Sequence, residues 1–246
     1  MGASARLRGG DPPIVVFHHS QSRGGAVAQE ILKGCVGGTL PVDGHPGYDV
    51  LADPTKTAKP WALAFCWTHW RRRFVKFGQD APSPICDEMI ARIASLYAVE
   101  KEIRGRDPAT RAAVRRKLSG PVVEALRPWL RGRLQELSSA NELARHIRYG
   151  LERWEGLTRF LDDGRSEMDT NGVENAIRPI PLTRKNALFA GSDDGAKTRA
   201  RIASLIGTCR MNGVNPEAYI AATLRKILDQ RMQRDVADLM PWNFRG

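Results

Sequence analysis

Thr39-Leu40-Pro41-Val42-Asp43-Gly44 and Trp61-Ala62-Leu63-Ala64-Phe65-Cys66-Trp67 decide how the first third of this chain is read. The first is a short strand over Thr39–Val42 that runs into Asp-Gly, where the chain must turn. The second is apolar throughout, as expected for a strand buried on both faces. Outward from this pair, Ile14-Val15-Val16-Phe17-His18 follows two prolines and reads as another strand. Gly25 to Lys33 reads as a helix stopped by Gly34. The first eighty residues are therefore expected to be mixed α/β. A carboxylate at a strand end projects from the rim of a sheet, where α/β folds place their function. Asp43-Gly44 is equally an ordinary turn pair, and the sequence leaves both readings open.

Pro82 and Pro84 mark a change of character. From there to about residue 160 apolar residues recur at helical spacing: Ile85, Met89, Ile93 and Leu96; then Leu126, Trp129, Leu130, Leu134 and Leu137; then Leu143, Ile147, Leu151 and Trp154. Between the first two stripes, Lys101 to Lys117 holds seven Lys or Arg and two carboxylates. The whole section reads as an all-helical insertion. Two helices are expected to close the chain. One runs from about Lys197 to Met211, with Ile202, Leu205, Ile206 and Cys209 inward. The other starts at Asn215-Pro216-Glu217, where Asn suits the N-cap, Pro the first helical position and Glu the positive end of the dipole.

The 38 Lys and Arg outnumber the 27 Asp and Glu, a net charge of +11. An excess of that size concerns partners, and nucleic acid is the commonest polyanion to answer it. A basic solvated surface is the plainer alternative. Cys35, Cys66, Cys86 and Cys209 are scattered without a C-x-x-C pair, which fits reduced thiols better than a disulfide framework. Arg6 and Arg8 lead into Gly-Gly-Asp-Pro-Pro and not into an apolar h-region, and no apolar run is long enough for a bilayer. A cytoplasmic protein with no membrane contact is expected.

Glu174 lies in Asp169-Thr170-Asn171-Gly172-Val173-Glu174-Asn175-Ala176-Ile177-Arg178-Pro179, 131 residues after Asp43. Asn171 with Glu174 three residues on could be a capping box. Alternatively, Asp43 and Glu174 could hold a pair of divalent ions, hard oxygen ligands suited to phosphoryl transfer on DNA. Cys66 and His69 form C-x-x-H, but zinc needs about four ligands and no others are apparent. Trp67-Thr68-His69-Trp70-Arg71-Arg72-Arg73-Phe74 interleaves aromatics with three arginines, a pattern suited to DNA phosphates and exposed bases, or simply to a helix with a basic face. Arg178, Arg184, Lys185, Lys197, Arg199 and Arg201 cluster after Glu174, and Gly191 to Gly195 reads as an ordinary turn before a helix.

These pieces together resemble one family. Residues 169–216, opening with N-G-V-E-N-A-I-R-P-I-P-L-T-R-K-N-A-L-F-A-G-S-D and ending with S-L-I-G-T-C-R-M-N-G-V-N-P, are similar to the C-terminal signature of transposases of the sixty-six family of bacterial insertion sequences. V-D-G-H-P-G-Y at 42–48, A-F-C-W-T-H-W-R-R-R-F at 64–74 and L-M-P-W-N at 239–243 match the same pattern. His45 and Asn175 stand where the family usually has Tyr and often Arg. The resemblance covers nearly the whole chain from about Gly9. It implies a ribonuclease-H-like catalytic core interrupted by the helical insertion. On that layout residues 1–80 are the first part of the core, 81–160 the insertion, and 161–246 the rest of the core with the Glu motif.

The resemblance further implies a DDE transposase that cleaves and joins DNA at insertion-sequence ends with Mg²⁺ or Mn²⁺. Asp43 becomes the second carboxylate and Glu174 the third, both as metal ligands. The first catalytic Asp is expected upstream of the matched region, and Asp11 precedes the strand at 14–18 and does not replace it. Little strand transfer is therefore expected from this chain alone. Arg71, Arg72, Arg73, Arg178, Arg184 and Lys185 are the candidate DNA contacts. DNA ends and target, other proteins of the same element and, for the complete protein, further copies of itself are the implied partners. The alternative is a non-catalytic DNA-binding remnant or partner subunit.

Overall fold

The computed structural model describes residues 4–5, 12–35, 37–57, 59–180, 192–229 and 236–244. It is α/β, mostly helical with little sheet, and divides into two compact units. One is built from Arg23–Thr170, the other from Met1–Ser22 together with Asn171–Gly246.

In the terminal unit, β1 (Ser4–Ala5) pairs antiparallel with β2 (Ile14–Val15). The central unit holds α1 (Gly25–Ile31), β3 (Thr39–Val42), α2 (Asp49–Ala52) and β4 (Ala62–Phe65). It continues with α3 (Trp67–Asp80), α4 (Pro84–Glu102), α5 (Pro108–Val114), α6 (Gly120–Gln135), α7 (Glu142–Glu152) and α8 (Trp154–Thr158). The terminal unit resumes with α9 (Asn171–Ile177), α10 (Asp193–Met211) and α11 (Pro216–Leu228).

The strand expected over Thr39–Val42 is found at those residues, and β4 pairs with it in parallel, Val42 opposite Phe65. Parallel strands need a crossover, and α2 supplies one. The helix expected over residues 25–33 ends at Ile31, with Leu32 as its C-cap and the chain turning on to Gly34 at φ +83. Two strands are shorter than their apolar runs suggest. The run at 14–18 is extended only over Ile14–Val15, and that at 61–67 ends at Phe65 because Trp67 already begins α3.

The core of the central unit is aromatic. Trp67, Trp70 and Phe74 fall on one face of α3, and all three are fully buried. Their rings follow one another at 5.4 and 5.7 Å. The Trp67 indole N–H donates to the Leu157 carbonyl at 2.7 Å and that of Trp70 to the His146 carbonyl at 2.9 Å, so burying these rings leaves no donor unpaired. Helix α7 reaches Trp70 at Gly150, where a Cβ would overlap the indole ring. Met89, Ile93 and Leu96 of α4, Leu126 and Leu130 of α6, and Leu143 and Ile147 of α7 complete the cluster, so all three apolar stripes face it. Caps start the helices as their residues dictate: Ser83 and Asp107 accept from the amides of Cys86 and Thr110, and Pro84 and Pro108 take the first positions.

The basic segment at 101–117 is only in part a surface. A π-helical turn at Arg115–Ser119 joins α5 to α6 and carries Arg115 to complete burial. There Arg115 Nε and Nη2 bond both oxygens of Glu100 at 2.6 and 2.7 Å, and Nη1 donates to the carbonyls of Phe160 and Ser166 at 2.9 and 2.8 Å. Arg111, also buried, bonds Glu167 at 2.9 Å. A buried charge persists only when its partners answer it, and removing one partner costs about 3–5 kcal/mol. Arg115→Ala is expected to lower unfolding free energy by about that amount in a denaturant titration, more than any exposed arginine of this segment.

In the terminal unit, β2 lies on α10. The Val15 N–H donates to the Thr208 hydroxyl at 3.1 Å, that hydroxyl donates back to the Val15 carbonyl at 3.2 Å, and the Phe17 N–H donates to Ser204 at 2.8 Å. Ala196, Ala200, Thr208 and Cys209 are buried there, whereas Ile202 and Leu205 are 48% and 41% exposed. The inner face expected for this helix holds at Cys209 and is corrected at Ile202 and Leu205. Small residues and hydroxyls, not the large aliphatics, make the contact, because a strand backbone must approach closely and be satisfied. Asn215 caps α11 as expected, accepting from the amides of Glu217 and Ala218.

His146 is held below its usual pKa by burial first, and by Arg73 and Arg145, with Glu142 opposing. The unfolded chain then binds the proton more readily than the folded one, so this contribution is full above the free value of 6.5 and lost as pH falls below it. The melting temperature is expected to drop less between pH 7 and pH 5 in His146→Gln than in the unsubstituted chain.

Candidate active site

Asp43 follows β3 directly, and the Cys66 N–H donates to the Val42 carbonyl at 3.1 Å, so Asp43 and Cys66 stand side by side at the carboxyl end of the parallel pair. Asp43 Oδ1 accepts the His45 N–H at 2.9 Å, and Oδ2 lies 3.9 Å from Arg23 Nη2. The turn reading of Asp-Gly is thus correct, and it coexists with a carboxylate one-third open to solvent. Gly44 adopts φ +86, with the Tyr149 hydroxyl of α7 against it. Burial first, and the Asp43 charge second, raise the pKa of both Tyr48 and Tyr149. For Tyr149 the nearby Arg153 and Arg73 act between those two causes and oppose them.

Cys66 is buried and precedes α3. Burial pushes its thiol pKa up, and the thiol accepts the Thr170 N–H at 3.3 Å. His69 lies half-buried on the first turn of α3. Thr68 shares a 2.6 Å hydrogen bond with Tyr97. Arg71 is half-buried and Arg72 and Arg73 are exposed. The interleaved aromatics cannot meet bases, since Trp67, Trp70 and Phe74 are fully enclosed. That part of the expectation is corrected: a helix with period 3.6 puts the rings inward and the arginines outward. The surroundings of Asp43 also include Tyr149, which no motif in the sequence singles out, and whose ring carries Arg73 and Arg153.

In the terminal unit Glu174 sits half-buried in the first turn of α9, a helix that Asn171 opens, and Arg178 is exposed just beyond it. Arg184 and Lys185, like Asp11, lie outside the described residues. Lys197 is spent on local pairing, 2.6 Å from Asp193, which also meets His19 at 3.1 Å. Ser192 caps α10 by accepting the Gly195 N–H, as a plain turn before a helix would.

A carboxylate at the carboxyl edge of parallel strands stands where α/β folds place their ligand sites, here beside a helix rich in arginine. Comparison with known proteins names the family. The family model for the transposase IS66 family matches residues 3–198, and that for the IS66 C-terminal element matches residues 204–242. The chain belongs to the IS66 transposase family. Among curated relatives in Sinorhizobium fredii, uncharacterized protein y4qI is 40% identical over 96% of this chain and 44% of its own length. Uncharacterized protein y4jD is 36% identical over 97% of this chain and 47% of its own length. The chain therefore spans about half the length of these relatives. No solved structure matches. No helix among the described residues is long and apolar enough to cross a membrane.

Gly44→Ala combines an unfavourable φ with overlap on the Tyr149 hydroxyl. It is expected to destabilise by about 1–3 kcal/mol, partly relieved in the double variant with Tyr149→Phe, as read by a double-mutant cycle on chemical denaturation.

Proposed function

We propose that this chain is part of a DDE transposase that cuts and joins DNA at insertion-sequence ends. The observation that carries the reading is Asp43, a carboxylate placed at the carboxyl edge of a parallel strand pair in a chain of this family. In this reading β3, β4 and the carboxyl part of the chain belong to a ribonuclease-H-like core. Residues 1–80 and 161–246 make up that core, and 81–160 is the helical insertion.

Asp43 and Glu174 would hold divalent cations, Mg²⁺ or Mn²⁺. The chemistry of Asp43 supports this: among the described residues its Oδ1 accepts one amide and Oδ2 has only the long Arg23 contact, so lone pairs remain for a hard cation. Bound there, the ions would activate the attacking oxygen and stabilise the leaving one. The chain's own residues do the rest. The His45 N–H fixes one oxygen of Asp43 and so aims the other. Arg71, Arg72, Arg73 and Arg178, with Arg184 and Lys185, neutralise the DNA backbone. Two carboxylates of the family's three are assigned, and activity is proposed for the complete protein, with its own copies or other proteins of the element as partners.

The test is a nicking assay on insertion-sequence end DNA with Mg²⁺ or Mn²⁺. The chain is assayed alone and together with the upstream part of the transposase as a second polypeptide. Cleavage on complementation, reduced at least about 100-fold in Asp43→Asn and Glu174→Gln, is the expected result. Salt-sensitive DNA binding with no cleavage, and no effect of either substitution, would make the chain a non-catalytic DNA-binding subunit instead.

A further inference from the structure

Beside Asp43 two guanidinium groups share one aromatic ring. Arg73 of α3 lies 3.9 Å from the Tyr149 ring centroid, and Arg153, just after α7, lies 4.2 Å from it. The hydroxyl of the same tyrosine rests against Gly44, the residue that follows Asp43. We infer that Arg73 and Arg153, held on Tyr149, form a cradle for a phosphate of the DNA strand that lies beside Asp43. This rests on the reading of the chain as a DNA-processing protein.

Three observations carry it. First, two like charges brought to one ring repel, and the fold does little to answer them. Among the described residues no carboxylate pairs with Arg73; Arg153, its side chain 21% exposed and also stacked on Phe65 at 5.5 Å, has as its one carboxylate partner Glu152 at 3.5 Å, a side chain 67% exposed. The contrast within this unit is Arg115, whose guanidinium is consumed by Glu100 and three carbonyls. Second, guanidinium forks stacked on an aromatic face are pre-oriented, and they match phosphate oxygens in pairs. Third, the cradle adjoins the carboxylate, so a phosphate held there places the neighbouring phosphodiester near Asp43. A purely packing role, with cation–π contacts gluing α3 to α7, predicts the same distances but a different response to salt.

The measurement is anisotropy of a short fluorescent insertion-sequence-end duplex, in EDTA, across a salt series. Each lost phosphate contact lowers the slope of log affinity against log salt by about one. Arg73→Gln and Arg153→Gln are each expected to lower it by about one, and the double variant by about two. Arg153→Lys, which keeps the charge, and Arg165→Gln, whose guanidinium already pairs with Asp163 at 3.0 Å, are expected to leave it unchanged. Equal slopes for the unsubstituted chain and a folded double variant would overturn the cradle. If the double variant does not fold, phenylglyoxal modification of the unsubstituted chain decides. Protection of both arginines by the duplex supports the cradle, and undiminished modification overturns it. Since no divalent ion enters this readout, a failed nicking assay and a failed cradle are separate results.

Discussion

The Arg115–Glu100 pair is the constraint on which the central unit depends. A guanidinium with no solvent exposure must have every donor answered, and its answers come from far apart: α4 gives Glu100, and the segment after α8 gives the carbonyls of Phe160, Asp163 and Ser166. Meeting them fixes where the chain goes after the helices. Four residues beyond Ser166, Thr170 donates to Cys66, and Met168 accepts the Trp67 N–H at 3.2 Å. The ion pair, chosen by geometry and not by net energy, thus brings the end of the helical stretch back to the end of β4. The π-helical turn is part of the same solution, since it places Arg115 and Arg111 where Glu100 and Glu167 can reach them.

The second level is the strand pair. Asp43 is set by Val42 in register with Phe65, by its bond to the His45 amide and by the left-handed Gly44. The helix that begins at Trp67 turns its rings into the core and its arginines out, so one sequence run serves both stability and charge. Tyr149 links the levels: it comes from the helices, yet its hydroxyl packs on the turn that carries the carboxylate.

Much of this was legible in the sequence because it is local. β3 was readable from Thr39–Val42 and its Asp-Gly, the helices from spacing and caps, and the start of α11 from Asn215-Pro216-Glu217. Asp43 and Glu174 could be singled out only through family resemblance, since a turn Asp and a capping Glu look the same by themselves. What was not legible is long-range. Burial of Arg111 and Arg115 inside a basic run depends on carboxylates and carbonyls elsewhere in the chain. The exposed Ile202 and Leu205 defied the apolar rule because β2, a strand backbone, selected small residues and hydroxyls on α10. Tyr149 and Arg153 carry no motif, and only the fold places Tyr149 against Gly44 and Arg153 on the Tyr149 ring.

The bonds from Thr170 to Cys66 and from Met168 to Trp67 make the helical stretch begin and end at one point. Topologically it is a side loop whose mouth is already shut. Changing the length of such a loop costs only logarithmically in chain entropy. Relatives can therefore gain or lose residues in the exposed links between its helices, outside the packed core, without shifting the strand that carries Asp43, so those links are where natural length variation should accumulate.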